Sequence, residues 1–311
     1  MNIDEKSVIV ILTCNGEKTI KKLLESLKSQ KVQRKMLIID SESDDSTMKI
    51  IDEMKMDIEV KRIRRADFNH GATRQMAVDM CRKAEYFVFL TQDVIMAEND
   101  TIEKLLACFS DKRIGCAYGR QLPNENSGIL GAHARLFNYP PKSQIKGMED
   151  AKKLGIKTAF ISDSFAAYRG KALDEISGFP KNVILSEDTY VAANMLIRGW
   201  KVFYCAEARV YHSHDYTMIE EFKRYFDIGV FHAREPWIRK KFGKAEKEGK
   251  RFILSEFKFT LLHGISFIPN LILRNLLKYF GYQLGLRENM INLRLKKRIS
   301  MCGFFWNEVI K

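Results

Sequence analysis

Two carboxylates stand at the ends of short apolar runs in this sequence. Asp40 closes the run MLII, and Asp93 follows the run FVFLTQ. Such runs are typical of buried parallel strands, and the carboxyl ends of these strands line the ligand crevice of an open α/β sheet. A carboxylate there can hold a hard divalent cation and, through it, a diphosphate. The sequence therefore indicates a site for phosphate-bearing substrates, although Asp40 could instead cap the helix that follows it.

A third acidic site precedes a predicted helix. Glu187 and Asp188 begin this helix, and Arg198 and Trp200 stand near its end. Acids are also favoured at a helix start by the macrodipole alone, which is the simpler alternative. We interpret the group as a base, a phosphate-neutralising cation and an aromatic wall around one pocket.

The order of the predicted elements indicates an α/β fold. Alternating strands and helices predict a mostly parallel central sheet with helices on both faces. Residues 123–146, rich in Gly, Pro and Asn, are predicted to form a loop or an excursion over the active face. From residue 217 onward the sequence is typical of helices. Strands are predicted at residues 7–12, 36–40, 58–63, 86–91 and 114–118, and helices at residues 17–29, 47–54, 73–84 and 101–109.

Length and composition predict one catalytic domain, residues 1–216, followed by a helical extension, residues 217–311. The chain has 311 residues, of which 46% are hydrophobic, and this is enough for one large core with an appendage. The six cysteines are scattered without a zinc-binding spacing, which predicts a reduced, cytoplasmic protein. Residues 1–6 carry none of the features of a signal peptide.

The extension carries most of the positive charge. Residues 217–311 contain 19 Lys and Arg against 9 Asp and Glu, whereas the whole chain has a net charge of +13. Residues 259–273 form an apolar run shorter than the ~20 residues of a membrane-spanning helix. This run could lie on a membrane or form a buried helical hairpin. A basic surface could also serve nucleic acid, but that would leave the strand-end acids unexplained, so no nucleic-acid partner is expected.

Five motifs give the chain a resemblance to glycosyltransferase family 2, which has the GT-A nucleotide-sugar fold. The resemblance covers residues 7–213. The motifs are TCNGE at 13–17, IDSESDDST at 39–47, TQD at 91–93, ED at 187–188 and RGW at 198–200. More narrowly, FNHGATR at 68–74, FLTQD at 89–93 and VYHSHDY at 210–216 resemble the rhamnosyltransferase branch. That branch builds bacterial surface polysaccharides from dTDP-L-rhamnose.

This resemblance implies an inverting transfer of a sugar, most simply L-rhamnose, onto a lipid-linked glycan at the cytoplasmic face of the membrane. Asp188 would be the general base. The donor would be bound by Thr13, Asn15, Glu17, Asp40, Ser41, Asn69, Arg74, Gln92 and Asp93, and the acceptor side would carry Glu187, Arg198 and Trp200. From the residues alone, Arg74 could equally pair with the acidic turn after Asp40.

The metal site departs from the family pattern, because Thr91 replaces the first acid of the usual D-x-D. A divalent cation, Mg²⁺ or Mn²⁺, would then rest on Asp93 with His212 and His214, which lie two apart at a strand end and share one face. The two histidines could instead be a solvated or hydrogen-bonding pair.

Three other functions were weighed. A UDP-hexose-dependent enzyme of the same family and a non-catalytic nucleotide-sugar-binding relative remain alternatives. Retention of Glu187 and Asp188 favours catalysis. A nucleotidyltransferase is disfavoured, because a Gly-rich basic phosphate loop would be expected where the first strand is followed by TCNGE.

Overall fold

The computed structural model describes residues 6–243 and 245–308. Residues 1–5, on which most of the expectation about a signal peptide falls, lie outside the described residues. Within those ranges the strands form one nine-stranded sheet in the order β3-β2-β1-β4-β8-β6-β9-β5, with β7 paired to β9. The strands are β1 Ser7–Thr13, β2 Lys35–Ser41, β3 Ile58–Ile63, β4 Tyr86–Thr91, β5 Ile95–Met96, β6 Ile114–Leu122, β7 Gln144–Lys146, β8 Phe165–Arg169 and β9 Lys201–Tyr211.

The half of the sheet that contains β1 to β4 is parallel, as the apolar runs predict. β1 and β4 are buried along almost their whole length, because helices cover both faces. β8 then runs antiparallel between β4 and β6, and β6 pairs in parallel with β9. The ends of β1, β2, β4, β6 and β9 and the start of β8 therefore lie along one edge of a mixed sheet.

The helices of the first two thirds flank this sheet. Helix α1 shows the predicted amphipathic pattern, since Ile20, Leu23, Leu24 and Leu27 are its buried residues. The helices are α1 Ile20–Lys28, α2 Thr47–Glu53, α3 His70–Met80, α4 Thr101–Ala107, α5 Ile129–Asn138, α6 Ala151–Leu154, α7 Gly170–Glu175 and α8 Glu187–Ile197.

The prediction of a loop at residues 123–146 is wrong for much of that range, which contains α5 and β7. The buried residue of α5 is His133, whose ring packs against Phe252 and Phe259 with centroids 5.1 and 5.3 Å away. The helix is stabilised by contacts with a distant part of the chain, which local periodicity does not reveal.

The last third is helical, as predicted. Its helices are α9 Met218–Arg234, α10 Pro236–Phe242, α11 Glu246–His263, α12 Ile268–Gly285, α13 Leu293–Ile299 and α14 Phe305–Glu308. Phe226, Phe231 and Trp306 belong to the same buried cluster as side chains of the sheet. The helical extension therefore shares its core with the first part of the chain. Among the described residues, no helix combines the length and the apolar character needed to cross a membrane.

Helices α9 and α12 cross at close range through glycines. A Cβ added to Gly285 would stand 2.0 Å from the carbonyl oxygen of Phe226, and one added to Gly229 would stand 2.4 Å from that of Tyr282. Larger side chains at these positions would push the helices apart. The glycines therefore fix how α11 and α12 sit over the rest of the molecule.

Candidate active site

The candidate site begins where three neighbouring parallel strands end. Thr13 at the end of β1 is in register with Asp40 in β2, and Leu12 with Thr91 at the end of β4. Because parallel strands end at one edge of a sheet, the predicted donor residues of these strands are brought together.

Gln92 holds the loop that follows β1. Its side-chain oxygen accepts hydrogen bonds from the hydroxyl of Thr13, at 2.6 Å, and from the backbone N–H of Cys14, at 2.9 Å. Its amide nitrogen donates to the Cys14 carbonyl at 3.1 Å. Gln92 thereby sets the position of the loop that contains Asn15 and Glu17.

Asp40 organises the acidic turn after β2. The Asp40 side chain is fully buried and accepts hydrogen bonds from the backbone and hydroxyl of Ser43. The Ser43 hydroxyl in turn accepts from Asn15 N–H at 2.9 Å, and Glu17 accepts from Ser46 N–H at 3.2 Å. Asp40 does not cap α2, because Ser46 is the residue that precedes that helix.

The neighbouring Ser41 is buried as well, and its carbonyl oxygen is 3.5 Å from the sulfur of Cys14. The first two loops therefore form one hydrogen-bonded unit, which brings Ser41 together with the predicted donor residues of both loops.

The structure brings the three predicted metal ligands together. Oδ2 of Asp93 is 3.3 Å from Nε2 of His212 and 3.6 Å from Nδ1 of His214. One ligand atom from each residue lies within 4.8 Å of the others. Two imidazoles and a carboxylate are ligands that first-row divalent cations accept.

Gln121 and Arg135 give His212 the tautomer that a metal ligand needs. The side-chain oxygen of Gln121 accepts a hydrogen bond from Nη1 of Arg135 at 2.8 Å. Because an amide oxygen can only accept, His212 Nδ1, at 2.9 Å from the same oxygen, must donate to it. The proton is then on Nδ1 and the lone pair is on Nε2. Nε2 is buried and makes no hydrogen bond within the described part of the chain. This arrangement fits a metal ligand held by a neighbour that fixes its orientation.

Burial also keeps both histidines neutral. Burial lowers the pKa of His212, and burial together with the adjacent His212 lowers the pKa of His214 to about 4. A neutral imidazole is the form that binds a cation.

Asp188 lies at the start of α8 among other acids. Its Oδ1 accepts a hydrogen bond from Thr189 N–H at 2.6 Å, and its Oδ2 accepts one from Asp163 N–H at 3.4 Å. Burial, followed by the charges of Glu187 and Asp163, raises the pKa of Asp188 to about 8. A carboxyl whose pKa is raised in this way is suited to accept a proton from a hydroxyl.

Arg74 holds this acidic cluster together. Its guanidinium is 2.7 Å from Asp163 and 2.8 Å from Glu187, and all three side chains are buried. Asn69 caps α3, because its side-chain oxygen accepts from the N–H groups of Gly71 and Ala72 at 3.0 Å. Arg74 therefore pairs with the acids beside Asp188 and not with the acidic turn after Asp40. The predicted donor contacts of Asn69 and Arg74 and the predicted acceptor contact of Glu187 stay predictions.

Arg198 and Trp200 do not share a pocket with Asp188. The 11-residue helix α8 separates them, which corresponds to about 15 Å. Trp200 donates to Glu175 at 2.8 Å and packs near Gly115 at the start of β6, at the opposite edge of the sheet from His212. The interpretation that Asp188, Arg198 and Trp200 surround one pocket is therefore wrong, whereas an acceptor-side role for Arg198 and Trp200 stays a prediction.

Sequence reasoning missed four residues of the site: Gln121, Arg135, Asp163 and Arg224. Asp163 stands between two serines before β8. Ser162 accepts a hydrogen bond from Gln121 at 3.0 Å, and Asp163 N–H donates to Asp188, so this segment connects the surroundings of His212 with those of Asp188. Arg224, on α9, lies over the ring of Tyr216 at 5.6 Å, and its charge opposes protonation of His214. Only the SDS sequence before an apolar run could have suggested Asp163.

Comparisons with known proteins agree with this arrangement. Residues 8–177 match the model of the family described as glycosyl transferase family 2. The chain is 45% identical over 305 residues to the O-antigen chain rhamnosyltransferase RfbN of Salmonella typhimurium, covering 98% of this chain and 97% of that protein. It is 44% identical over 274 residues to the O-antigen chain rhamnosyltransferase WbaN of Salmonella anatum, covering 88% and 86%.

Solved structures show the same fold at low identity. The mannosyltransferase PcManGT from Pyrobaculum calidifontis, in complex with GDP-Man and Mn²⁺, superposes with a TM-score of 0.58 at 14% identity and covers 98% of this chain and 86% of that one. Residues 1–349 of S. aureus TarS give 0.54 at 16% identity and cover 92% and 91%. The predicted GT-A fold is thereby confirmed. Since the family model covers more than half of the chain and the relatives align along nearly all of it, the chain belongs to glycosyltransferase family 2.

Proposed function

We propose that this protein transfers L-rhamnose from dTDP-L-rhamnose to a hydroxyl group of a lipid-linked glycan during the synthesis of a bacterial surface polysaccharide. The observation that carries this proposal is the 45% identity to a protein named as an O-antigen chain rhamnosyltransferase, which extends over 98% of this chain. The proposal is further supported by the carboxyl of Asp188, the cluster of Asp93, His212 and His214, and the hydrogen-bonded loop unit after β1 and β2.

The loops after β1 and β2 are proposed to bind the nucleoside of the donor. Thr13, Asn15 and Glu17 lie in or beside the first loop, and Asp40 with Ser41 anchors the second. Gln92 joins the first loop to the end of β4. Binding here would direct the diphosphate toward Asp93.

Asp93, His212 and His214 are proposed to hold a divalent cation, Mn²⁺ or Mg²⁺. When bound, such a cation compensates the charge of the diphosphate leaving group. Arg224 carries no ion pair within the described residues and lies on the same side as His214, so it can add a second positive charge. The cation and Arg224 would then both compensate the negative charge of the leaving group.

Asp188 is proposed to act as the general base. Its carboxylate takes the proton of the acceptor hydroxyl while the hydroxyl oxygen attacks the anomeric carbon. The bond from that carbon to the diphosphate oxygen breaks, and nucleoside diphosphate departs with the bonding electrons. In-line attack inverts the configuration at the anomeric carbon.

A panel of donors tests the reaction. Release of nucleoside diphosphate is measured from dTDP- and UDP-sugars, with and without Mn²⁺ or Mg²⁺, for the unmodified protein and for Asp188→Asn. We expect turnover of dTDP-L-rhamnose that the variant loses. Turnover of a UDP-hexose alone would replace the donor and keep the enzyme class, whereas binding without turnover would favour a non-catalytic relative.

The exposed face of the α11–α12 hairpin is proposed to lie on the inner face of the membrane. Leu262 and Ile265, at the turn between the helices, are 83% and 69% exposed. The other exposed apolar residues of the hairpin are Leu254, Phe257, Leu261, Phe267, Ile272, Leu273, Leu276, Phe280 and Leu284. The alternative of a buried hairpin is wrong for this face. Exposed basic residues such as Lys250, Arg251 and Lys258 would favour anionic lipid.

Vesicle flotation tests this contact. Removing the chain after residue 217 would expose the shared core, so substitutions are the better probe. We expect Leu262→Glu combined with Ile265→Glu to abolish flotation with vesicles that contain phosphatidylglycerol. Met290→Glu, at a residue that is 80% exposed outside the hairpin, is the control and should float like the unmodified protein. Unchanged flotation of the double variant would refute the proposal.

A further inference from the structure

A large cavity lies between α5, α9, α11 and α12. Its volume is about 1090 Å³. Small-molecule sites usually measure about 300–1,000 Å³, so the cavity exceeds what a single sugar requires. Ser186 and Thr189, which flank Glu187 and Asp188 in the chain, line it, and so does His214. The cavity therefore reaches the chain neighbours of the candidate base and one candidate metal ligand.

The walls of the cavity combine aromatic rings with paired charges. The aromatic side chains are Phe137, Tyr225, Phe252, Tyr279 and Tyr282. Several of the charged groups are paired: Glu221 is 3.1 Å from Arg274 and 3.4 Å from Lys278, and Lys278 is 3.7 Å from Glu256. Asn275 donates to Glu256 at 2.9 Å.

This chemistry discriminates between possible ligands. A hydrocarbon chain would bury the charge of Arg224, which carries no ion pair within the described residues, and the unused hydrogen-bonding capacity of the other polar groups, which is costly. A diphosphate would meet five carboxylates beside six Lys and Arg side chains. A sugar fits both kinds of wall, because its C–H face packs on aromatic rings and its hydroxyls donate to carboxylates and accept from amides and cations.

We propose that this cavity binds the glycan of the acceptor over more than one sugar unit, with the terminal sugar at the end beside Asp188. The inference rests on the proposed function, because it places the acceptor of that reaction. The lipid of the acceptor would then lie outside the cavity, toward the exposed apolar face of α11 and α12. Recognition of the glycan and contact with the membrane would use opposite faces of the same hairpin.

At Ala134 the cavity can be filled without replacing a proposed catalytic, donor-binding or metal-binding residue. It lies on α5 and lines the cavity, whereas Leu136 on the same helix is 45% exposed and does not line it. Ala134→Trp places an indole in the space of the glycan, and Leu136→Trp is the matched control. Tyr225→Leu is a second variant, which removes one aromatic wall instead of adding bulk.

Two acceptor probes distinguish binding of the glycan from binding of the lipid and from binding of the terminal sugar alone. The first is the free glycan released by mild acid from the lipid-linked saccharides that accumulate when the gene is deleted. The second is the methyl glycoside of the terminal non-reducing sugar of that glycan. We expect the KM of the unmodified protein to be at least about tenfold lower for the free glycan, because several hydrogen bonds are added. Ala134→Trp and Tyr225→Leu should reduce this difference, and Leu136→Trp should preserve it.

The readouts distinguish failure of this inference from failure of the proposed function. Release of nucleoside diphosphate from dTDP-L-rhamnose by water, without acceptor, should be the same in all three variants and the unmodified protein. No release from any donor would refute the proposed function itself. Normal release with equal KM values for the two probes, or with a KM difference that both variants retain, would refute the cavity as the glycan site.

Discussion

Replacing Gln121 by alanine is expected to weaken Mn²⁺ binding by about 10- to 100-fold, the usual effect of losing the partner of a metal-bound histidine. In the structure Gln121 accepts the Nδ1 proton of His212 at 2.9 Å and is itself oriented by Arg135 at 2.8 Å. Without this acceptor, His212 can carry its proton on Nε2, which is the nitrogen that faces Asp93. The expected loss corresponds to about 1.4–2.7 kcal/mol of binding free energy.

The assay is calorimetric titration of Mn²⁺ in the presence of dTDP, which reports affinity independently of turnover. Gln121→Glu is the decisive companion, because a carboxylate still accepts from His212 and pairs with Arg135. We expect it to restore most of the affinity. Saturating Mn²⁺ should also recover much of the kcat of Gln121→Ala, since the base at Asp188 is untouched.

Gln33→Ala is the matched control, since Gln33 lies on the surface and bonds to the backbone of Lys28 and Gln30. Thermal unfolding checks that each variant is folded. An unchanged Mn²⁺ affinity in folded Gln121→Ala would refute the assignment of the tautomer. An equal loss in Gln121→Glu would show that Gln121 acts through packing instead.

Three further predictions concern the proposed base, the packing of α12 on α9 and the buried acidic cluster. Burial and two neighbouring carboxylates raise the pKa of Asp188 to about 8, and a base must be ionised to act. The kcat/KM should therefore fall about tenfold per pH unit below pH 8 and level off above it. A flat profile from pH 6 to 9 would contradict this. Gly285→Ala should cost about 1–3 kcal/mol of unfolding free energy, measured by denaturant titration, because its Cβ would stand 2.0 Å from a carbonyl oxygen of α9. Gly249→Ala, which meets no atom within 4 Å, should not destabilise the protein, and equal effects of the two would refute the packing argument. Arg74→Met should cost about 3–5 kcal/mol in the same titration, because two buried carboxylates lose their cation, and a cost below about 1 kcal/mol would mean that the pairs are not buried in solution.

Strands β1, β2 and β4 were predictable because each contains a continuous apolar run, and β3 because apolar and charged residues alternate along most of it. The structure gives β4 as Tyr86–Thr91 and β3 as Ile58–Ile63, the same bounds as the sequence predicts. Helix α5 was not predictable in this way. Its buried side chain, His133, meets partners more than a hundred residues later, and its flanking glycines and prolines indicate a loop locally.

The cluster of Asp93, His212 and His214 was predictable, because Asp93 follows a strand end and the two-residue period places His212 and His214 on one face. Gln121 was not, because its role depends on β6 pairing with β9, a neighbour relation that the sequence does not encode locally. The shared pocket of Arg198 and Asp188 was predicted wrongly for the opposite reason. Arg198 is close to Asp188 in sequence, but the rise of α8 carries it to the other edge of the sheet.

Helix α12 combines the proposed glycan cavity, the contact with α9 and the proposed membrane surface on three different sides. Ile272, Leu276, Phe280 and Leu284 recur every four residues and form an exposed apolar stripe. Gly281 and Gly285 lie on a second side, where the glycine contacts hold α9. Arg274, Lys278 and Tyr282 line the cavity on a third. Because the helix is rigid and its glycine contacts leave no room to rotate, the membrane-facing stripe and the cavity wall have a fixed relation. A glycan that enters the cavity while its lipid stays in the membrane would therefore be delivered to Asp188 from one direction.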